Sequence, residues 1–235
     1  MSSSAPSTLF PEWSTPLMAD ACLRMGVPLR LGPPDMRPIV PGQRAAGRVL
    51  PARHYGSVDI FLEAFGGCAP GDVFVVDNAG RLDEACVGDL TALEAVAAGA
   101  AGMIVWGAHR DSAELREIGL PVFSCGTCPA GPRRLDAPEA DALVTVRCGE
   151  VIAGREDLVC ADDDGVLFVP LARAAEVAQA AEAIYRRERD QALAVRAGRT
   201  LREQLRFADY LTRRAVDPAY TFRRHLRALG GAIEE

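Results

Sequence analysis

The chain contains no lysine; all 26 of its basic residues are arginine. That absence removes the Schiff-base amine of a lysine aldolase, the lysine that holds pyridoxal phosphate, and the lysine of a phosphate-cradling P-loop. If such a chain cleaves a carbon–carbon bond beside a carbonyl, a metal ion has to serve as the electron sink. Also missing is any apolar run near the roughly 20 residues that span a bilayer. The start, Met1-Ser-Ser-Ser-Ala-Pro-Ser7, has neither a basic region nor an apolar core, which argues against a secretory signal. The expectation is a soluble, cytoplasmic protein.

Histidine is scarce: three residues, His54, His109 and His225, stand too far apart for a zinc spacing. Seven cysteines, an odd number scattered through apolar segments, suit a reducing compartment better than a disulfide framework. Cys125-Gly-Thr-Cys128 is the one close pair; a redox or zinc role stands beside the preferred reading of incidental loop cysteines. The net charge of −6 is uneven. Twelve arginines face five acids between Arg186 and Arg227, a local +7 that leaves −13 on the remainder. A nucleic-acid-binding tail would look like this, but a solvated helical tail, or one docked on an acidic neighbouring subunit, is the simpler reading.

What is present is a 235-residue chain, 49% hydrophobic, long enough for one large domain or one domain with an appendage. Residues 1–14 read as a flexible arm. An apolar stripe from Thr15 to Met25 predicts a helix, Leu31 to Gly42 an irregular connection, Arg44 to Leu50 a strand, and His54 to Phe65 a second helix. Val73–Val76, Met103–Trp106 and Pro121–Ser124 are short apolar runs of the kind covered on both faces. Between them lie a helix over Ala92–Ala98, opened by the capping-box sequence Thr91-Ala-Leu-Glu94, and a short helix from Asp111 to Gly119. This β–α–β–α–β order implies a parallel sheet with right-handed crossovers. Beyond Gly131, strands are expected at Ala142–Val146, Val151–Ile152, Asp157–Cys160 and Val166–Val169. Asp162-Asp-Asp-Gly165 reads as a tight turn, since an EF-hand would need an acid where Arg173 stands. Long helices over Ala172–Ala197 and Leu201–Arg214 follow, then a polar tail from Pro218.

The chemistry concentrates between Gly88 and Asp111, in two loops at the carboxyl ends of predicted parallel strands. A helix amino terminus after Gly88 suits a carboxylate ligand, Arg110 can hold a carboxylate or a developing enolate, and Asp111 offers the hard oxygen that Mg²⁺ or Mn²⁺ prefers. The competing structural reading makes Asp111 and Asp89 helix caps and Arg110 a surface ion-pair partner. Spacing alone leaves that reading in front.

The ordered blocks Gly71-Asp72-Val73-Phe74-Val75-Val76-Asp77-Asn78-Ala79-Gly80, Gly88-Asp89-Leu90 and Gly107-Ala108-His109-Arg110-Asp111 resemble the RraA-like family over about residues 15–170. That family includes class II 4-hydroxy-4-methyl-2-oxoglutarate/4-carboxy-4-hydroxy-2-oxoadipate aldolases and the ribonuclease E regulator RraA. The resemblance implies an α/β swivelling β/β/α fold over residues 15–171, with residues 172–235 as a helical, arginine-rich extension longer than the small regulators have. It implies that amides of Gly88, Asp89, Leu90 and Thr91 hold the carboxylate of a small 2-oxo acid and that Arg110 contacts carboxylate and keto oxygen. Asp111 would bind Mg²⁺ (or Mn²⁺) directly and Asp89 through water. It further implies homotrimers or homohexamers with sites between subunits and an acid from a neighbouring chain, for which Glu182 and Glu188 are candidates. A metal-ordered water is the simplest base, with His109 an alternative. Some such sequences carry a dimethylmenaquinone methyltransferase label, which the lack of a glycine-rich nucleotide loop argues against. The expected function is a metal-dependent pyruvate aldolase, with a non-catalytic ribonuclease regulator as the alternative.

Overall fold

The computed structural model describes residues 13–230, so the arm expected over residues 1–14 lies almost wholly outside the described residues. Ser14-Thr15-Pro16 opens α1 (Thr15–Arg24). Strands β1 (Arg30–Leu31), β2 (Arg37–Pro38) and β3 (Ala45–Arg53) follow, then α2 (Asp59–Gly66), β4 (Val73–Asp77), β5 (Ala85–Val87), α3 (Asp89–Ala97), β6 (Gly102–His109), α4 (Ser112–Ile118) and β7 (Val122–Thr127). Strands β8 (Thr145–Cys148), β9 (Val151–Gly154), β10 (Asp157–Asp162) and β11 (Gly165–Pro170) complete the β part. A nine-stranded sheet runs β1-β11-β10-β3-β4-β6-β7-β2, with β5 beside the end of β6; β8 and β9 form a separate hairpin.

The four central strands β3, β4, β6 and β7 are parallel, as the β–α–β–α–β pattern predicts. Both flanks are antiparallel, β10 against β3 and β2 against β7. Side chains alternate across each strand. Phe74 and Val76 of β4 therefore join the core under the helices with Phe61, Phe65, Ala92, Ala95 and Leu115. Val73 and Val75 join a second core with Ile104, Phe123, Val146, Val159 and Phe168, around which the sheet curls. All five residues of β4 are buried, and the Phe74 ring meets Phe61 edge-on at 5.3 Å and Phe65 at 4.5 Å. Burying such a ring contributes about 2–3 kcal/mol.

Several elements depart from their predicted bounds for local reasons. His54 is not in a helix: Gly56 has φ +108, and a Cβ there would lie 2.1 Å from the Arg134 carbonyl oxygen, so the chain turns before α2 begins. Two-residue strands β1 and β2 interrupt the expected irregular connection. Ala142 and Val144 close turns onto Glu139 and Asp141, which moves the strand expected at Ala142–Val146 to β8. The hairpin at Asp162–Gly165 is the predicted tight turn.

The chain divides into two compact units between Ala178 and Gln179, within the long helix α5 (Ala174–Arg196). The second unit continues into α6 (Leu201–Gln204), α7 (Phe207–Val216) and α8 (Phe222–Ala228). Thr200 and Glu203 form a capping box on α6, and Arg206, left-handed at φ 47, splits the single helix expected over Leu201–Arg214. The predicted polar tail contains α8, whose Phe222 and His225 pack with Phe207, Tyr210 and Tyr220. Arg213 and Arg214 stack over Tyr220 and Tyr210, which gives part of the arginine content a structural use. Among the described residues no helix is long and apolar enough to cross a membrane.

Candidate active site

The parallel strands end along one edge of the sheet, with Arg53 closing β3, Asp77 closing β4, His109 closing β6 and Thr127 closing β7. The loops beyond such ends are where open α/β sheets bind ligands. The Arg110 amide donates to the Val87 carbonyl at 2.9 Å, which ties the loop after β6 to the end of β5. Gly88 and Arg110-Asp111 are thereby brought side by side. A Cβ on Gly88 would lie 2.2 Å from Asp111 Oδ2, so this approach requires glycine.

Asp111 does not cap its helix, whereas Arg110 is the half-exposed ion-pair partner that the structural reading expected. Asp111 stands at the amino terminus of α4 with φ 57 and ψ 43, a left-handed conformation in which a non-glycine residue is strained, and its side chain makes no cap hydrogen bond. Its Oδ2 instead sits 3.3 Å from Arg110 Nε and 3.4 Å from the Asp89 amide. The capping box expected at Thr91-Ala-Leu-Glu94 is absent, because α3 begins three residues earlier, after Gly88. Asp89 Oδ1 accepts from the Leu90 amide at 2.7 Å, so its carboxylate keeps a local role at the helix start. Arg110 is about half exposed and Leu90 is 75% exposed.

His54, Gly88, Asp89, Thr91, Arg110 and Pro132 line one cleft of about 300 Å³. A second cleft of about 230 Å³, lined by Arg53, Asp77, Arg81, Arg134 and Glu139, shares His54 with the first. Sequence reasoning missed His54, Asn78, Glu84 and Arg134 as a group. The available signal was that Arg53-His54 and Asp77-Asn78 leave parallel strands at the edge already chosen for Arg110.

The remaining candidates fare differently. His109 is buried between two hydroxyls, with Nδ1 2.7 Å from Ser124 Oγ and Nε2 2.9 Å from Ser112 Oγ. Burial holds its pKa below the ordinary value. Both ring nitrogens are engaged, which makes His109 a structural residue. Cys125 and Cys128 are free thiols, and burial pushes the Cys125 pKa up to about 11, unlike an activated thiolate. Glu182 and Glu188 lie on the part of α5 in the second unit, where Glu182 pairs with Arg186 one turn on.

Among the described residues no three His, Cys, Asp or Glu side chains converge, so a closed zinc cage does not fit. A magnesium-type ion that keeps most of its waters needs only one or two carboxylates. Asp111, one-third exposed and uncommitted to its own helix, fits that requirement, with Asp89 beside it.

The RraA-like profile, described as Aldolase/RraA, matches residues 15–168. The chain belongs to the RraA-like family. A Halalkalibacterium halodurans protein provisionally named 4-hydroxy-4-methyl-2-oxoglutarate aldolase is 33% identical over 143 residues, 58% of this chain and 67% of that protein. An uncharacterized Pseudomonas syringae pv. tomato protein of known structure superposes with a TM-score of 0.73 at 25% identity, covering 86% of this chain and 98% of its own. Streptomyces coelicolor RraAS2, described as an unusual member of the RNase ES inhibitor RraA protein family, gives 0.69 at 26% identity over 80% and 98% of the two chains. The swivelling β/β/α architecture of the RraA-like family is thus the fold of this chain, with helices at its carboxyl-terminal end.

Proposed function

We propose that this RraA-like protein is a divalent-metal-dependent aldolase that releases pyruvate from a 4-hydroxy-2-oxo acid such as 4-hydroxy-4-methyl-2-oxoglutarate, with oxaloacetate decarboxylation as a side reaction. The observation that carries the reading is Asp111, held in a strained conformation with a carboxylate that serves no cap and faces Gly88 and Arg110. Strain of this kind persists where a site needs it. Asp111 would hold Mg²⁺ or Mn²⁺ directly and Asp89 through water; when bound, the ion supplies Lewis-acid polarisation of the keto oxygen. The first turn of α3, from Asp89 to Thr91 after the N-cap Gly88, provides amides and a positive helix end for the substrate carboxylate. Arg110 adds a guanidinium where negative charge develops on the keto oxygen, a contribution worth about 3 kcal/mol for one preorganised donor. We take trimers or hexamers, with a neighbouring chain completing the site, as part of the same proposal.

The test is pyruvate release from 4-hydroxy-4-methyl-2-oxoglutarate and from oxaloacetate, with Mg²⁺ and then with EDTA. Activity should vanish with EDTA, and Asp111→Ala should lower kcat/KM at least about 100-fold. Full activity in either case would overturn the reading. The likeness to RraAS2 favours one second reading, inhibition of a ribonuclease by surface contact. Metal-independent inhibition of a ribonuclease by a chain that releases no pyruvate would select it.

A further inference from the structure

The hydrogen bonds of His54 separate it from His109. Its Nδ1 lies 2.9 Å from Asn78 Oδ1, and the same oxygen accepts from Arg134 Nη2 at 2.8 Å. Arg134 is itself held by Glu84 Oε1 at 2.9 Å and by the His54 carbonyl at 3.2 Å. A guanidinium can only donate, so it identifies the Asn78 atom as the oxygen; Arg134 Nη2 also lies 3.5 Å from His54 Nδ1, too far to compete with the 2.9 Å contact, which makes Nδ1 the N–H donor to Asn78. The lone pair of the neutral ring is therefore on Nε2, which has no hydrogen-bond partner among the described residues. Asn78 and Glu84 are buried at 1% and 5% exposure, and the Phe61 ring lies 5.1 Å from the imidazole, so the ring is fixed from behind. His54 also lines the cleft of Gly88, Asp89, Thr91 and Arg110. A base whose other nitrogen is oriented by a third group is the arrangement that proton transfer requires.

We infer that His54 moves the proton in this cleft, a role that rests on the aldolase reading above. Nε2 takes the proton of the substrate C4 hydroxyl, and the freed O–H electron pair becomes the C4 carbonyl. The C3–C4 bond breaks, and its pair moves to C2–C3 to give the pyruvyl enolate, with charge on the C2 oxygen. The imidazolium then returns its proton to C3, leaving pyruvate and a neutral ring, with no further reactant consumed.

Burial holds the His54 pKa below its ordinary value of 6.5; the Asn78 bond, Glu84 and Asp136 pull it up, and Arg134 pulls it down. Asp89, Arg110 and Cys86 line the same cleft, and Arg53, Asp77 and Arg81 the adjoining one. The base form is therefore the resting form at neutral pH, and activity falls as pH drops through the lowered pKa.

The experiment follows deuterium entering the pyruvate methyl group from D₂O in the presence of Mg²⁺, by NMR, alongside pyruvate release. His54→Gln should slow exchange at least about 100-fold while oxalate affinity changes by less than about threefold. Asn78→Asp, which sets a carboxylate against Nδ1, should move the acidic limb of the rate profile to higher pH, and it decides the matter if His54→Gln does not fold. An active wild type whose His54→Gln variant exchanges within about threefold of it, or whose limb stays in place in Asn78→Asp, overturns the His54 role alone. A wild type with neither exchange nor pyruvate release overturns the aldolase reading and this role together.

Discussion

Asp162 ends β10 and Asp111 follows β6 by two residues, and their surroundings differ in nearly every respect. Asp162, 7% exposed, accepts from the Thr15 amide at 2.8 Å, the Thr15 hydroxyl at 2.6 Å and the Asp164 amide at 3.0 Å. It closes the β10–β11 hairpin and fastens the start of α1 to it. Asp111 has a positive φ, a side chain one-third exposed and, among the described residues, only the longer contacts of Oδ2 with Arg110 and the Asp89 amide. One carboxylate spends its oxygens on the fold, and the other is held at a cost while its oxygens stay available. An acid in a turn means little by itself; how fully its oxygens are satisfied tells the two apart.

The largest effect expected from breaking this contrast comes at Gly88. In Gly88→Ala the new methyl meets Asp111 Oδ2, the end of a movable side chain, rather than backbone. The carboxylate should shift while the fold stands. Displacement of a reacting group by about 1 Å costs on the order of 100-fold in rate, so pyruvate release should fall by about that factor with little change in melting temperature. A large loss of stability with unchanged activity per folded molecule would place Gly88 in the fold rather than the site.

Asp162→Ala should do the reverse. Removing three hydrogen bonds, two of them buried, and leaving the Thr15 amide and hydroxyl unpaired should lower unfolding free energy by about 2–3 kcal/mol. Urea titration would show it as a lower midpoint with an unchanged slope. Pyruvate release below the transition should stay within about twofold, because nothing in the hairpin reaches the cleft that holds Arg110.

Much of this was legible in the sequence. Four-residue apolar runs gave three of the four central parallel strands, because a strand buried on both faces has few polar positions to confuse it. The Gly88–Asp111 stretch was found by the same logic, as loops beyond those strands. Short elements escaped: β5 has three residues and is set by its partner β6 rather than by any pattern of its own. His54 was placed in a helix because apolar spacing through Phe65 looks continuous, and only the approach of the Arg134 backbone to Gly56 breaks it. That contact joins residues about 80 apart in the chain, a separation across which periodicity carries no information. The partnership of Asn78, Glu84 and Arg134 was hidden for the same reason.

The smallest expected effect tests whether His109 belongs with Asp162 or with Asp111. Ser124 Oγ donates to the Gly126 carbonyl at 3.2 Å, so it accepts from His109 Nδ1–H, and the other ring nitrogen accepts from Ser112. Ser124→Ala removes the buried hydroxyl that accepts from Nδ1–H, at a cost of about 1–2 kcal/mol. If His109 only braces the end of β6, the melting temperature should drop by a few degrees while kcat/KM and its pH profile stay put, since Arg110 is still anchored through its amide to Val87. A change in the acidic limb of the profile with stability unaltered would count against a purely bracing role for His109, because such a role predicts a loss of stability with the limb in place.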